Sequence, residues 1–291
     1  MLSARTVVQI LVNGVNLSAI YALMALGFTM IFGVMRIVNF AHGEFAMLGG
    51  FALYYLLVQG HMPFVLALPV SALLVGAASL VAERLVMRPF YRQELQGLIA
   101  TLGLSMIMTY LAVIIFDVNQ RSVPPVDSRI FTFGPVILPA DRLVVLGVAA
   151  SALVLFFVFM RYTRTGLAMR VVAQDLEIAE AQGIDARAHY RVAFFIASGF
   201  AALAGGLLGQ IYSVSPFMGV GPLIKSFIVV VLGGLGSIPG AALGGLLLGM
   251  SESALTTFYG ASAAQFASFG AIMLILVLRP QGLLGRAERS T

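Results

Sequence analysis

Leu143-Val144-Val145-Leu146-Gly147-Val148 and, a few residues on, Leu153-Val154-Leu155-Phe156-Phe157-Val158-Phe159 are apolar on every face. Transmembrane β-strands alternate apolar and polar residues over about ten positions, and these runs do not alternate. A helix that crosses a bilayer needs about 20 mostly apolar residues, and residues 143–160 carry no Asp, Glu, Lys or Arg. The stretch reads as a helix in lipid. Working outward, residues 6–35, 192–224, 226–251 and 253–278 are equally free of those four residue types, and 45–82 holds only His61. The chain is 60% hydrophobic and 10% charged, with mean hydropathy +1.01. A soluble domain carries about 25% charged residues, so there is too little charge here to cover a water-facing surface.

Apolar segments fall at 6–35, 38–58, 63–86, 97–116, 142–160, 191–213, 223–250 and 262–278. The fold class expected is an all-α polytopic membrane protein of about eight to ten transmembrane segments, some broken or re-entrant, forming one membrane domain over 1–291. The N-terminal run continues to Met35 without a small-residue cleavage site, which predicts an uncleaved first helix.

Basic residues lie between the apolar runs, as the positive-inside rule predicts for a membrane protein, and not in a patch suited to nucleic acid. Arg84, Arg88 and Arg92 mark the 83–94 stretch as cytoplasmic; Arg161, Arg164, Arg170, Arg187 and Arg191 do the same for 161–191. The Pro-rich 117–141 loop, with Pro124, Pro125, Pro135 and Pro139, then faces outward. A cysteine at Ser128 should label from outside and one at Thr163 should not. Arg279, Arg286 and Arg289 place the C-terminal end inside, which demands an even number of crossings after Arg191. Breaking 223–250 at Gly233-Gly234-Leu235-Gly236-Ser237-Ile238-Pro239-Gly240 supplies it.

That break carries chemistry as well as parity. Pro239 lacks an N–H and the glycines accept non-helical backbone, which at membrane depth is tolerated only against protein or a water-filled cavity. Gly233, Gly234, Gly236, Ser237 and Pro239 are therefore candidates to line a pathway; a tight glycine-mediated helix crossing is the alternative. Gly205/Gly209, Gly240/Gly244 and Gly245/Gly249 are spaced for such crossings. A dinucleotide loop is rejected at 233–240, because no strand–helix unit surrounds it. Asn39-Phe40-Ala41-His42-Gly43-Glu44 is the most polar insert between apolar runs. Asn39, His42 and Glu44 line a pathway or a protein-buried site, or else stay wet at an interface beside Arg36. Glu252 lies either at a helix end or in the bundle interior. Met47-Leu48-Gly49-Gly50 echoes Val231-Leu232-Gly233-Gly234, and each follows a small-residue helix, which is either an internal duplication or chance.

In the 161–191 loop, Val172, Leu176, Ala179 and Gly183 form one apolar stripe at helical spacing. Asp175 suits a helix N-cap and Gly183 its left-handed end. A lipid-surface helix favours Lys and Arg on its polar face, whereas this one holds Asp175, Glu177 and Glu180. A docking helix is expected, its stripe seated in a groove of a partner protein. Cysteine is absent and His42, His61 and His189 lie far apart, so neither thiolate chemistry nor a histidine-built metal site is expected. No nucleophile–base pair stands out either.

Together, Tyr21-Ala22-Leu23-Met24-Ala25-Leu26-Gly27, Asn39 to Glu44, Ile99-Ala100-Thr101-Leu102-Gly103, Val231 to Gly240 and Arg279-Pro280-Gln281-Gly282-Leu283-Leu284-Gly285 resemble the LivH-type permeases of branched-chain amino acid ABC importers, over nearly the whole chain. The resemblance implies a bacterial inner-membrane subunit that pairs with a similar second permease. It also implies two cytoplasmic ATPase subunits, which use the ATP and Mg, and an extracytoplasmic binding protein that delivers substrate. Gln174, Asp175, Leu176, Glu177, Ala179, Glu180 and Gly183 occupy the place of the family's coupling helix, although a full Glu-Ala-Ala sequence is lacking. No Walker-A pattern is present and Lys225 is the one lysine, so this chain is expected to be neither an ATPase nor an enzyme, and to hold no cofactor. A permease for urea, short amides or another small polar solute is the alternative within the same fold. A proton-coupled secondary transporter using Glu44 or Glu252 is the alternative of another class.

Overall fold

A computed structural model describes residues 4–91, 93–126, 129–133, 136–279 and 282–284. Arg92, Ser128, Pro135, Pro280, Gln281, Gly285, Arg286 and Arg289, used above, lie outside the described residues. In chain order come α1 (Ala4–Met35), α2 (His42–Val58), α3 (Phe64–Ala82) with a π-helical turn (Glu83–Met87) and a 3₁₀ turn (Arg88–Phe90), and α4 (Glu94–Phe116). A two-stranded hairpin follows, β1 (Ile130–Phe133) antiparallel to β2 (Val136–Pro139). Then come α5 (Ala140–Tyr162), α6 (Arg164–Gln174), α7 (Leu176–Ala181), α8 (Ala186–Ile211), α9 (Val220–Gly233) and α10 (Ile238–Leu278). Among the described residues, the hairpin is the one pair of strands in an otherwise helical chain. Its β-branched and aromatic residues suit strands, and it sits in the loop read as water-facing.

Among the described residues, six helices are long and apolar enough to cross a membrane. The most apolar windows of α1 and α8 are 83% and 72% buried within the protein, those of α4 and α5 only 17% and 28%. So α1 and α8 are central, while α4 and α5 expose side chains such as Ile114, Ile115 and Leu155 on the outside of the bundle.

Small residues fix how the helices run. A Cβ at Gly14, Gly245 or Gly249 would strike Met250, Ala22 or Ser18 respectively, which makes α1 and α10 antiparallel neighbours. Leu68, Ala72 and Phe195 stand against Gly206, Gly199 and Gly76, which makes α3 and α8 antiparallel too. The Ser18 hydroxyl donates to the Leu246 carbonyl at 3.1 Å and Ser253 to Ile10 at 2.8 Å, so α1 and α10 are tied by hydrogen bonds as well. Close backbone approach of this kind is how helices associate where lipid removes the hydrophobic driving force.

Gly260, at φ 86° and ψ 167°, interrupts α10. Its 41 residues, if straight, would set its ends ~60 Å apart. Yet Leu283 and Leu284 donate their N–H groups to the Leu232 and Gly233 carbonyls at 2.8 and 3.0 Å, beside the start of α10. The chain therefore reverses at Gly260, and α10 is a hairpin with arms 238–259 and 261–278.

The two basic stretches share one face, where the Tyr91 and Tyr190 rings meet at 4.8 Å. At the opposite face, Arg121 and Val214 exchange backbone hydrogen bonds of 2.9 and 2.8 Å. Ile37 packs on Gly97 near the start of α4, so α1 ends on the basic face. From there the described residues make nine passes: α1, 36–58, α3, α4, α5, α8, 212–233 and the two arms of α10. Four follow Arg191, the even number that charge parity required, with the break after Gly233 where the sequence placed it.

An inverted repeat emerges. α1, α2 and α3 match α8, α9 and the first arm of α10, but α1 runs toward the basic face and α8 away from it. The third helix of each unit packs on the first helix of the other. The two glycine-pair echoes fall on the equivalent elements α2 and α9, though at different heights. With no native cysteine, sidedness is open to single-cysteine labelling. An impermeant thiol reagent on intact cells should label Asn119→Cys and Ala261→Cys, both exposed. It should spare Gln182→Cys and Leu283→Cys until the membrane is opened; Ala261 and Leu283 labelling from one side would contradict the reversal at Gly260.

Candidate translocation site

Two of the nine passes are part helix and part non-helical chain. After α1, Arg36 takes a left-handed φ of 56° and ends the helix. Residues 37–40 then run back into the protein outside any helix, and the Ala41 carbonyl accepts the first helical bond of α2, from the Phe45 N–H at 3.3 Å. Thr101 of α4 supplies partners: its hydroxyl accepts from the Phe40 N–H at 3.1 Å and lies 3.3 Å from the Val38 carbonyl. The Asn39 side-chain oxygen accepts from the Ala41 N–H at 3.1 Å. In the other unit, residues 212–219 descend from the Arg121–Val214 bridge, and α9 begins with Pro222 in its first turn, where a missing N–H is harmless.

The two half helices meet start to start. Gly43 at the head of α2 abuts Gly219 at the head of α9 so closely that a Cβ on either would strike the other's backbone. The partial positive ends of two helices converge there. His42 and Glu44 are 0% and 2% exposed, so the polar insert is inside the protein and not at an interface. The Ser105 hydroxyl donates to Glu44 Oε1 at 3.2 Å, and His42 Nε2 lies 3.0 Å from the Met24 carbonyl. Among the described residues, Asn39 Nδ2, His42 Nδ1 and Glu44 Oε2 are buried without a hydrogen-bond partner. Such orphans are rare in folded proteins and call for an explanation. Broken helices whose N-termini face each other at mid-bilayer form substrate sites in several transporter folds.

The chain matches, over residues 10–278, the family described as branched-chain amino acid transport system / permease component. It belongs to this permease family. It is 33% identical to the high-affinity branched-chain amino acid transport system permease protein BraD of Pseudomonas aeruginosa, over 96% of each chain. To the permease protein LivH of Escherichia coli it is likewise 33% identical over 96% of each. The E. coli permease protein LivM is 26% identical over 92% of this chain and 68% of its own length. No solved structure matches. The permease is a multi-pass membrane protein and a transport component, not an enzyme. Among the described residues no group of three or more His, Asp and Glu could hold a metal ion.

The other candidate residues of the permease lie elsewhere. Gly233, Gly234, Gly236, Ser237 and Pro239 form the turn from α9 into α10 on the basic face, away from Asn39, His42 and Glu44. Gly234 and Gly236 take φ of 104° and 78°, and the Ser237 hydroxyl accepts from the Gly240 N–H at 3.1 Å. Backbones touch between Gly233 and Gly240. Broken backbone and close glycine crossing, opposed in the sequence, thus coexist here. Leu235, Gly236 and Pro239 are exposed, so the break needs no mid-bilayer compensation. Glu252 is in the bundle interior, ion-paired to Lys225 at 2.7 Å. Sequence reasoning passed over Lys225 as its partner. The signal was there: one lysine and one glutamate, each isolated in a long charge-free run.

The 161–191 loop of the permease folds as two helices rather than one. Asp175, extended at φ −154°, caps α7 by accepting from the Ile178 N–H at 3.0 Å. Gly183, at φ 80°, ends it, with Ile184 N–H bonded to Ala179 and Gly183 N–H to Glu180, both at 3.0 Å. This is the Schellman arrangement. The apolar stripe is not free for a partner: Val172 and Ala179 are buried and Leu176 is partly buried against this chain's own core. A six-residue helix is too short to hold its place alone, so its apolar side is consumed in anchoring it. What remains outside is Gln174, Asp175, Glu177, Ile178, Glu180, Ala181, Gln182 and Gly183. Beside them Arg84, Arg88, Arg187, Tyr91 and Tyr190 line a cleft of ≈ 690 Å³.

The contact between half helices makes a paired prediction. Gly43→Ala forces a methyl into the Gly219 backbone, whereas Gly221→Ala enters open space. Overpacking of this kind costs about 1–3 kcal/mol. The thermal midpoint of the purified permease should fall for Gly43→Ala and stay put for Gly221→Ala; equal midpoints would remove the close contact.

Proposed function

We propose that residues 1–291 act as one permease domain of an ATP-driven importer of branched-chain amino acids in the bacterial inner membrane. The observation that carries this reading is the meeting of two half helices, start to start, inside an inverted repeat of a transport-permease family. The non-helical segments supply polar backbone at mid-bilayer, and a zwitterion suits it, with N–H groups toward its carboxylate and carbonyls toward its ammonium. Asn39, His42 and Glu44 are the side chains placed to line the pathway there. Gly233, Gly234, Gly236, Ser237 and Pro239 border its mouth on the cytoplasmic face.

The partners follow from the same reading. The relatives LivH and LivM are each permease proteins of a high-affinity branched-chain amino acid transport system, which supports pairing with a similar second permease. Two cytoplasmic ATPases, holding ATP and Mg, dock on the basic face, and an extracytoplasmic binding protein delivers substrate to the other. Coupling runs through the exposed acidic side of α7, with Gln174, Asp175, Glu177, Glu180 and Gly183 outward and Leu176 and Ala179 anchoring the helix from behind.

Anchor and contact surface give different mutant behaviour. Glu177→Arg with Glu180→Arg should leave insertion intact and cut leucine-stimulated ATP hydrolysis of the assembled complex by about tenfold, ~1.4 kcal/mol of coupling. Ala179→Arg buries an unpaired charge and should instead lower the amount of folded permease. Normal stimulation in the double variant would exclude α7 as the coupling surface.

A further inference from the structure

Lys225 of α9 and Glu252 of the first arm of α10 carry opposite charges in two runs that otherwise hold none. Their side chains lie 2.7 Å apart and are 13% and 16% exposed. The Lys225 ammonium also sits 6.0 Å from the centre of the Tyr21 ring, halfway along the central helix α1. Charges at this depth are costly and mark transport pathways more often than they serve stability. A pair kept only for packing could be replaced by apolar residues at little loss. The pair is also continuous with the junction. Lys225 follows Gly219 by less than two helical turns. On the opposite side of α9, the Phe227 ring meets Phe28 at 6.2 Å and Phe28 meets His42 at 5.6 Å.

We propose that Lys225 and Glu252 are the charged half of the substrate site. The pair opens to take the carboxylate of a zwitterionic α-amino acid on Lys225 and its ammonium on Glu252. This deepens the transport reading above and rests on it. Exchange of partners suits the bilayer because each of the four charges keeps an opposite neighbour throughout. An anion or a cation alone would leave either Glu252 or Lys225 unpaired in a low-dielectric site. The selectivity that follows is for the zwitterion itself, whatever the aliphatic side chain.

The test uses the full complex in proteoliposomes, with Gly221→Cys as reporter. Gly221 stands one turn before Lys225 on the same helix face, is exposed, and has open space for a side chain. Leucine at ten times its half-protecting concentration should slow labelling by a small thiol reagent roughly tenfold. Isovalerate, which lacks the ammonium, and isoamylamine, which lacks the carboxylate, should not. In a Lys225→Met, Glu252→Met double variant that still assembles, leucine uptake should fall at least about tenfold. Equal protection by either single-charge analogue, or wild-type uptake by the double variant, overturns the proposal. Should that variant fail to assemble, the labelling on the intact pair decides alone. Leucine uptake by the parent complex without any protection at Gly221→Cys sinks this inference and spares the transport reading. No leucine uptake by the parent complex sinks both.

Discussion

Hydrocarbon offers no water, so every backbone N–H and C=O at membrane depth must find a partner inside the protein. Most of this chain meets that demand with helices. Two segments, 36–41 and 212–219, do not, and much of the architecture exists to accommodate them. Thr101 of α4 and the Asn39 side chain serve the first; the Arg121–Val214 bridge ties down the second. Because the two units are inverted, the broken passes face each other across the middle, and Gly43 and Gly219 let the helix ends touch. Polar groups that would be prohibitive against lipid are thereby gathered at one place with α1, α4 and α8 around it.

The same inversion explains the use of small residues. α1 and α8 must each accept a half helix and the third helix of the opposite unit on one surface. Gly14, Gly245 and Gly249 on one side, and Gly49, Gly76, Gly199 and Gly205 on the other, lie where backbones approach too closely for a Cβ or nearly so. Gly103 and Gly147, on the lipid-facing helices α4 and α5, have open space around them. Glycine is thus structural in the centre and incidental at the rim.

Much of this was legible in the residues. Charge-free runs fixed helix number to within one or two, and the arginine count fixed parity well enough to demand the break after Gly233. Asp175 and Gly183 announced the ends of α7. Other features depend on tertiary contact. The apolar stripe through Val172 and Ala179 looked free because spacing alone does not say whether a partner or the chain itself covers it. A turn between the 223–250 and 262–278 segments was implied, but its place at Gly260 gave no signal, since one glycine in an apolar run is ordinary in a membrane helix. That the 39–44 insert and the 233–240 break lie at different depths follows only from the inverted pairing of α2 with α9. Lys225 and Glu252 stand out as isolated charges, but that they meet across 27 residues follows from the packing of α9 on α10.

The central claim is that the junction of the two half helices is the pathway. Leu223 of α9 packs there against Gly43 and is only partly buried. A Leu223→Cys variant in the working complex measures access to that point directly, through its rate of reaction with a small polar thiol reagent. The account predicts that the cysteine reacts, and that its rate changes at least several-fold between the nucleotide-free complex and one trapped with nucleotide. A cysteine inert in both states, in a complex that still transports leucine, would contradict it.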